Sequence, residues 1–335
     1  MKIVIDQAIP DLEHRLRQVA DVTALPAGEI SRNAVADADA LVVRTRTRCD
    51  AGLLDGSSVK MVVTATAGTD HIDIDWCESH GIHVASAAGS NAPGVAQYVM
   101  AALDAAGYRP GLHLLGVVGK GHVGSIVTSW ARLMGGQVYV CDPFRQDAGM
   151  EDDEYRSLEM MLRRCDAITF HVPLTCDGPY PTFHMLNENN IPRINPRAII
   201  VNAARGGVID EAALLKKMRR RDTSITCITD TWEGEPDISR ELLDASLIAT
   251  PHIAGYSLEG KQRATRMVIE ALEDFFALNI DKSGLAESYR RPHNVSMERI
   301  CASYDPLAET AVLRRNPADF ERLRNTYHFR TEPVF

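Results

Sequence analysis

The sequence predicts an α/β protein of two doubly wound parallel-sheet domains, Rossmann-like or flavodoxin-like, with a small C-terminal α+β unit. Short runs rich in Val and Ile alternate with stretches of helical length, the rhythm of βα units in a parallel sheet. These runs form two series, not one. The 335 residues also exceed what a single core usually supports.

In the first series KIVID (2–6), ALVVR (40–44), MVVTAT (61–66) and HVASA (83–87) read as buried strands. DLEHRLRQVA (11–20) and IDIDWCESHG (72–81) read as helices between them. AAGSNAPGVAQYVMAALDAA (87–106) opens with turn residues and continues as an Ala-rich helix, a crossover between domains. The second series is HLLGVVG (113–119), QVYVCD (137–142), AITFHVP (167–173), AIIVNAA (198–204), ITCITD (225–230) and LIATP (247–251). KQRATRMVIEALEDFFALN (261–279) then has the spacing of a long amphipathic helix returning to the first domain. From about residue 283 the periodicity weakens, and only PADFERLRNTYHF (317–329) reads as a helix. The expected domains are residues 1–92 with 256–282, 93–255, and 283–335.

Composition excludes several classes. Apolar content of 45% and charged content of 24% are ordinary for a globular protein. A net charge of -9 argues against a general nucleic-acid binder, which must neutralise phosphates. No apolar run is long enough to span a membrane, and MKIVIDQAIP lacks the apolar core of a secretory signal, so a cytoplasmic location is expected. The seven cysteines are scattered without a C-x-x-C pair, which reads as reduced core thiols and no metal site.

The strongest local motif is Gly119-Lys120-Gly121-His122-Val123-Gly124, between the apolar run LLGVV and a helical stretch. Its glycines suit a tight turn, backbone approach to a pyrophosphate, and close helix–strand packing. The helix start adds amide donors and partial positive charge. Gly-rich turns are common, but here the next run ends in Asp142, 18 residues after Gly124. A carboxylate there suits the ribose hydroxyls and favours NAD over NADP, although Arg145 follows closely.

Three further stretches fall at strand ends, where open α/β sheets bind ligands. Arg205 lies between a strand and a helix that Asp210 would cap, and suits a carboxylate. Glu235 sits in a Gly-Pro-framed loop after Asp230, and His252 ends LIATP 17 residues later. Each alone reads as a surface or core residue. Together, downstream of a nucleotide motif, they supply what hydride transfer from an alcohol carbon needs. His252 would move the hydroxyl proton, Glu235 would orient the imidazole, Arg205 would anchor a carboxylate, and Asp230 would contact the nicotinamide riboside.

With these residues laid out, the chain resembles the D-isomer-specific 2-hydroxyacid dehydrogenases, which share the glycine motif, the VNAARG block and the Glu and His stretches. TATAGTDHID (64–73), DGPY (177–180) and HIAGYSLEGK (252–261) resemble a narrower group within it that acts on a phosphorylated 2-hydroxy acid. The resemblance implies Arg205, Glu235 and His252 as the catalytic trio. It implies contacts to NAD from the glycine motif, Asp142, Val172, Ala203, Ala204, Asp230 and Gly255, and contacts to substrate from Thr45, Thr66 and Tyr256. Arg44, Arg46 and Lys261 flank these positions and are candidates for the phosphate. A homodimer is implied, held by the tail around PADFERLRNTY (317–327). Two alternatives stay open: a phosphoglycerate, glycerate or hydroxypyruvate enzyme of the same family, and an NAD-sensing regulatory protein without turnover.

Overall fold

A computed structural model describes residues 1–150 and 154–335. The chain forms two compact units, Met1–Asn91 with Ser257–Arg290, and Ala92–Tyr256 with Arg291–Phe335.

The first unit opens with β1 (Lys2–Asp6), α1 (Leu12–Leu16), β2 (Asp21–Leu25), α2 (Arg32–Val35), β3 (Ala40–Val43), α3 (Ala51–Leu54), β4 (Met61–Thr64), α4 (Ile74–Ser79) and β5 (His83–Ser86). Its strands are parallel in the order β2-β1-β3-β4-β5, the flavodoxin-like order. β3 and β4 are buried along their whole length, as Val-rich runs are when both faces are covered. β2 is the strand the sequence reading omits. It lies at the sheet edge, is only partly buried, and so carries too few apolar residues to stand out.

The second unit holds α5 (Ala92–Ala105), β6 (Leu114–Val118), α6 (His122–Leu133), β7 (Gln137–Cys141), α7 (Pro143–Asp147), α8 (Leu158–Arg164), β8 (Ala167–Phe170), β9 (Ile199–Asn202), α9 (Glu211–Met218), β10 (Thr226–Thr229), α10 (Arg240–Ala245) and β11 (Ile248–Ala249). All six strands expected here form, parallel, in the order β11-β10-β9-β8-β6-β7. The register pairs Val118 with Phe170, Phe170 with Asn202, Asn202 with Thr229 and Thr229 with Ala249. Carboxyl ends therefore line up in a row, and the residues after them project from one rim. The order reverses between β6 and β8, the place where such sheets bind ligands.

α11 (Leu258–Phe276) belongs to the first unit, with Ser257 Oγ accepting from Gly260 N at its start. It starts earlier than its apolar spacing suggests, because this cap sits ahead of the first apolar residues. Its Val268, Ile269 and Leu272 pack with Ile3, Ile5 and Val42 over one sheet face.

The tail departs from expectation. Residues 291–335 form α12 (Met297–Ser303), α13 (Pro306–Arg315) and α14 (Phe320–Asn325), three helices with no strand of either sheet. They cluster with the second unit, so the division falls after Arg290. Leu313 and Phe320 share the apolar core of Phe170 and Ile200, and Thr310 Oγ1 accepts from Ala249 N of β11 at 3.0 Å. α12 and α13 are short and bury only Ile300 and Pro306, Thr310 and Leu313, which leaves little period to read.

Phe320→Ala should therefore cost roughly 3–5 kcal/mol, seen as a lower urea midpoint with an unchanged slope. A loss under about 1 kcal/mol would place the tail outside the cooperative core.

Candidate active site

The rim of the second unit begins with the glycine loop. Gly119 has φ 84°, and a Cβ there would lie 2.8 Å from both His171 O and Val172 Cγ1. A Cβ at Gly124 would fall 2.0 Å from Gly119 O, so helix and turn meet only because both lack side chains. Gly121 faces open space, and α6 starts there with no side-chain cap, leaving its first amides available to an anion. His122 is exposed and Val123 half-buried in that first turn. Asp142 follows β7 and accepts from Lys120 N at 2.8 Å and Arg145 N at 3.2 Å, which sets its carboxylate beside the loop. These features fit a dinucleotide: amides for the pyrophosphate, a carboxylate for a ribose, and Val172 as a wall. Beneath them His171 is half-buried with its Nδ1 enclosed, and this desolvation pushes its imidazole down to about 3.

On the other side of the rim, β9, β10 and β11 deliver Arg205, Glu235 and His252 on successive loops. Asp210 caps α9 as expected, accepting from Ala213 N at 2.9 Å. Gly206 is forced by packing, because a Cβ there would stand 1.8 Å from Trp232 O, so the Arg205 loop presses on the Glu235 loop. Arg205 donates to Ala204 O at 2.9 Å, and Asn202 Nδ2 donates to Arg205 O at 3.0 Å. Glu235 Oε1 accepts from Trp232 N at 2.9 Å. His252 Nδ1 lies 2.8 Å from Glu235 Oε2 and 3.1 Å from Oε1, with the two side chains 28% and 19% exposed. Burial is the strongest single influence and raises the Glu235 pKa, but the bond to His252, its charge, the Trp232 N–H and Arg324 together hold the carboxyl below its usual range. Glu211, buried at the start of α9, is pushed up to about 7 by that burial.

Asp230, expected at the nicotinamide riboside, is held below the rim. It is 1% exposed, and its oxygens accept from Thr250 Oγ1 at 2.7 Å, Ile253 N at 2.8 Å and Ala254 N at 3.0 Å. Its place is beneath the turn that carries His252, whose N donates to Asp230 O at 2.9 Å and whose φ is 56°. Burial pushes the Asp230 carboxyl upward against the pull of His252 and these donors. Thr250 also meets Tyr98 Oη at 2.8 Å and accepts from Trp232 Nε1 at 2.9 Å, so one network joins the Glu235 and His252 loops.

Two tail arginines complete the rim, and sequence reasoning missed both. Arg330 is buried and donates to Gly94 O at 2.9 Å, Gln97 Oε1 at 2.9 Å, Ile253 O at 3.1 Å, Tyr256 O at 3.3 Å and Ala254 O. The turn through Gly255 to Tyr256 is thus pinned from the tail. Arg324 Nε donates to Tyr256 Oη at 3.3 Å. No local motif marks such residues, since their partners lie some seventy or more positions away.

The remaining candidates lie in the first unit, at the ends of the neighbouring strands β3 and β4. Thr45 is exposed, while Thr66 Oγ1 contacts Thr64 Oγ1 at 2.6 Å and donates to Gly68 O at 3.0 Å. Arg44 Nε pairs with the buried Asp6 carboxylate at 2.9 Å, which engages its charge structurally. Arg46 is exposed, and Lys261 is half-buried in the first turn of α11.

Residues 102–254 match the model of the D-isomer specific 2-hydroxyacid dehydrogenase NAD-binding domain. Over 347 residues the chain is 41% identical to an erythronate-4-phosphate dehydrogenase of Bacteroides fragilis, covering 99% of this chain and 97% of that one. The chain belongs to the erythronate-4-phosphate dehydrogenase family. A member from Escherichia coli is 38% identical over 350 residues, with 99% and 92% covered. Among solved structures, an NAD+-bound 3-phosphoglycerate dehydrogenase of Entamoeba histolytica matches with TM-score 0.69 and 26% identity, covering 87% of this chain and 99% of that one. A D-lactate dehydrogenase of Aquifex aeolicus, complexed with NAD and lactic acid, shares the fold with TM-score 0.67 and 23% identity, covering 83% and 96%.

Two outcomes follow for this family member. Gly206→Ala forces the Arg205 and Glu235 loops apart by backbone contact and should lower kcat roughly 100-fold in steady-state kinetics. His171 binds no proton in the native state until pH nears 3, whereas its unfolded form does so near 6.5. Native stability should therefore fall as pH drops through that window, and His171→Gln should flatten this part of a chemical-denaturation profile.

Proposed function

We propose that the protein oxidises 4-phospho-D-erythronate to 2-oxo-3-hydroxy-4-phosphobutanoate with NAD, a step of pyridoxal phosphate biosynthesis. The observation that carries this reading, in a chain of this family, is the Glu235–His252 pair, 2.8 Å apart on the rim. With Nδ1 turned to the carboxylate, that nitrogen holds the hydrogen and Nε2 is the proton acceptor.

NAD, when bound, supplies the hydride acceptor. In oxidation His252 Nε2 takes the proton of the C2 hydroxyl, and Glu235 steadies the imidazolium that forms. In reduction the same proton returns to the substrate oxygen. Arg205 holds the substrate carboxylate and polarises the carbonyl. The amides of the glycine loop hold the pyrophosphate and Asp142 a ribose. Val172, Ala203, Ala204, Asp230 and Gly255 contact the cofactor, and Asp230 also holds the His252 turn from below. Thr45, Thr66, Tyr256 and Lys261 face the substrate. The same reading makes the protein a cytoplasmic homodimer formed through its tail, which sedimentation would test; no helix among the described residues is long and apolar enough to cross a membrane.

The test is NADH formation with phosphorylated four-carbon against three-carbon 2-hydroxy acids. The four-carbon substrate should be preferred, and His252→Ala should lower kcat by about 10²–10⁴ with NAD affinity kept. Binding of NAD with no turnover of any 2-hydroxy acid would instead mark a regulatory protein.

A further inference from the structure

Arg324 is a cation that the proposed chemistry does not use. It lies on α14 one turn after the fully buried Phe320, and the i, i+4 spacing brings it to the same inward face. Its side chain is 20% exposed, and Nε donates to Tyr256 Oη at 3.3 Å. Nη1 stands 3.9 Å from Glu235 Oε2 and 3.8 Å from Glu321 Oε1, distances of ion contact and not of hydrogen bonding. Among the described residues the guanidinium thus gives one hydrogen bond and keeps four of its five N–H donors. Arg330, on the same tail, shows the opposite state, with its donors met by main-chain carbonyls and Gln97. Desolvated donors normally find acceptors, so a mostly buried fork beside the Glu235–His252 pair has the character of a ligand group.

We propose that Arg324 binds the phosphate ester of the substrate, with Tyr256 setting the orientation of its fork. The inference rests on the reading of this site as one for a phosphorylated 2-hydroxy acid. Such a substrate carries two anionic ends, and Arg205 takes the carboxylate. A phosphate monoester offers the coplanar oxygens that a guanidinium meets bidentately. Arg44 is engaged by the buried Asp6. The tail therefore contributes to substrate recognition directly.

The experiment compares wild type, Arg324→Gln and Arg324→Lys with 4-phospho-D-erythronate and with unphosphorylated erythronate, NAD saturating. Arg324→Gln should raise KM for the phosphorylated substrate roughly 10- to 100-fold and leave KM for the unphosphorylated one unchanged. Arg324→Lys, which keeps the charge and loses the fork, should fall between. Equal changes for both substrates, or a loss confined to kcat, would overturn the assignment. Thermal unfolding of each variant shows which are folded; should the Gln variant not fold, the Lys variant decides by the same KM comparison. Should wild type turn over neither compound, the functional reading fails on its own. Binding of inorganic phosphate to the NAD-loaded protein then decides the inference: weakening in the Arg324 variants upholds it, and equal affinity rejects it.

Discussion

A carboxylate held out of water at the end of a central strand must find donors, and Asp230 finds them in the turn that carries His252. Left unpaired, such a group would cost several kcal/mol. Its three acceptor contacts tie Thr250, Ile253 and Ala254 to β10. They hold His252 at a left-handed φ of 56°, a conformation a histidine does not adopt without compensation. Thr250 then passes the constraint to Tyr98 and Trp232, and Trp232 to Glu235. The geometry of the Glu235–His252 pair is thus settled by groups that never face the rim.

The parallel sheet supplies the frame for that network. Because neighbouring strands end in register, loops far apart in sequence are placed side by side, and small residues decide how closely they approach. Gly119 and Gly124 let α6 and the β6 turn meet at the point where strand order reverses. Gly206 does the same between the loops of Arg205 and Trp232. In the proposed reading, phosphate binding and proton transfer are two uses of one edge, differing in whether main-chain amides or side chains face outward.

The tail adds a constraint of another kind. Its helices give Leu313 and Phe320 to the core and Thr310 to the edge of β11, which fixes Arg330 against the turn following His252. A segment that reads as an accessory unit is part of the body that holds the candidate site.

The six strands of the second unit, the glycine loop, the Asp210 cap and the Arg205, Glu235 and His252 positions were all legible from sequence, because each is local. Continuous apolar runs mark buried strands, and a residue's distance from a strand end needs no knowledge of its neighbours. The edge strand β2 and the helices α12 and α13 escaped because partial burial leaves a weak apolar signal. The hold of Asp230 on the His252 turn was not legible, since a carboxylate after a strand reads alike whatever donors meet it. Which way it turns depends on donors contributed 20 and more residues later. The same holds for the pairing of Arg44 with Asp6, 38 residues earlier, and for Arg324 and Arg330, whose partners belong to other elements. By itself, then, the sequence determined the strand order's raw material and the chemistry on offer. Only the tertiary structure decided which charged groups are spent on each other, because burial and hydrogen bonding are properties of neighbours in space.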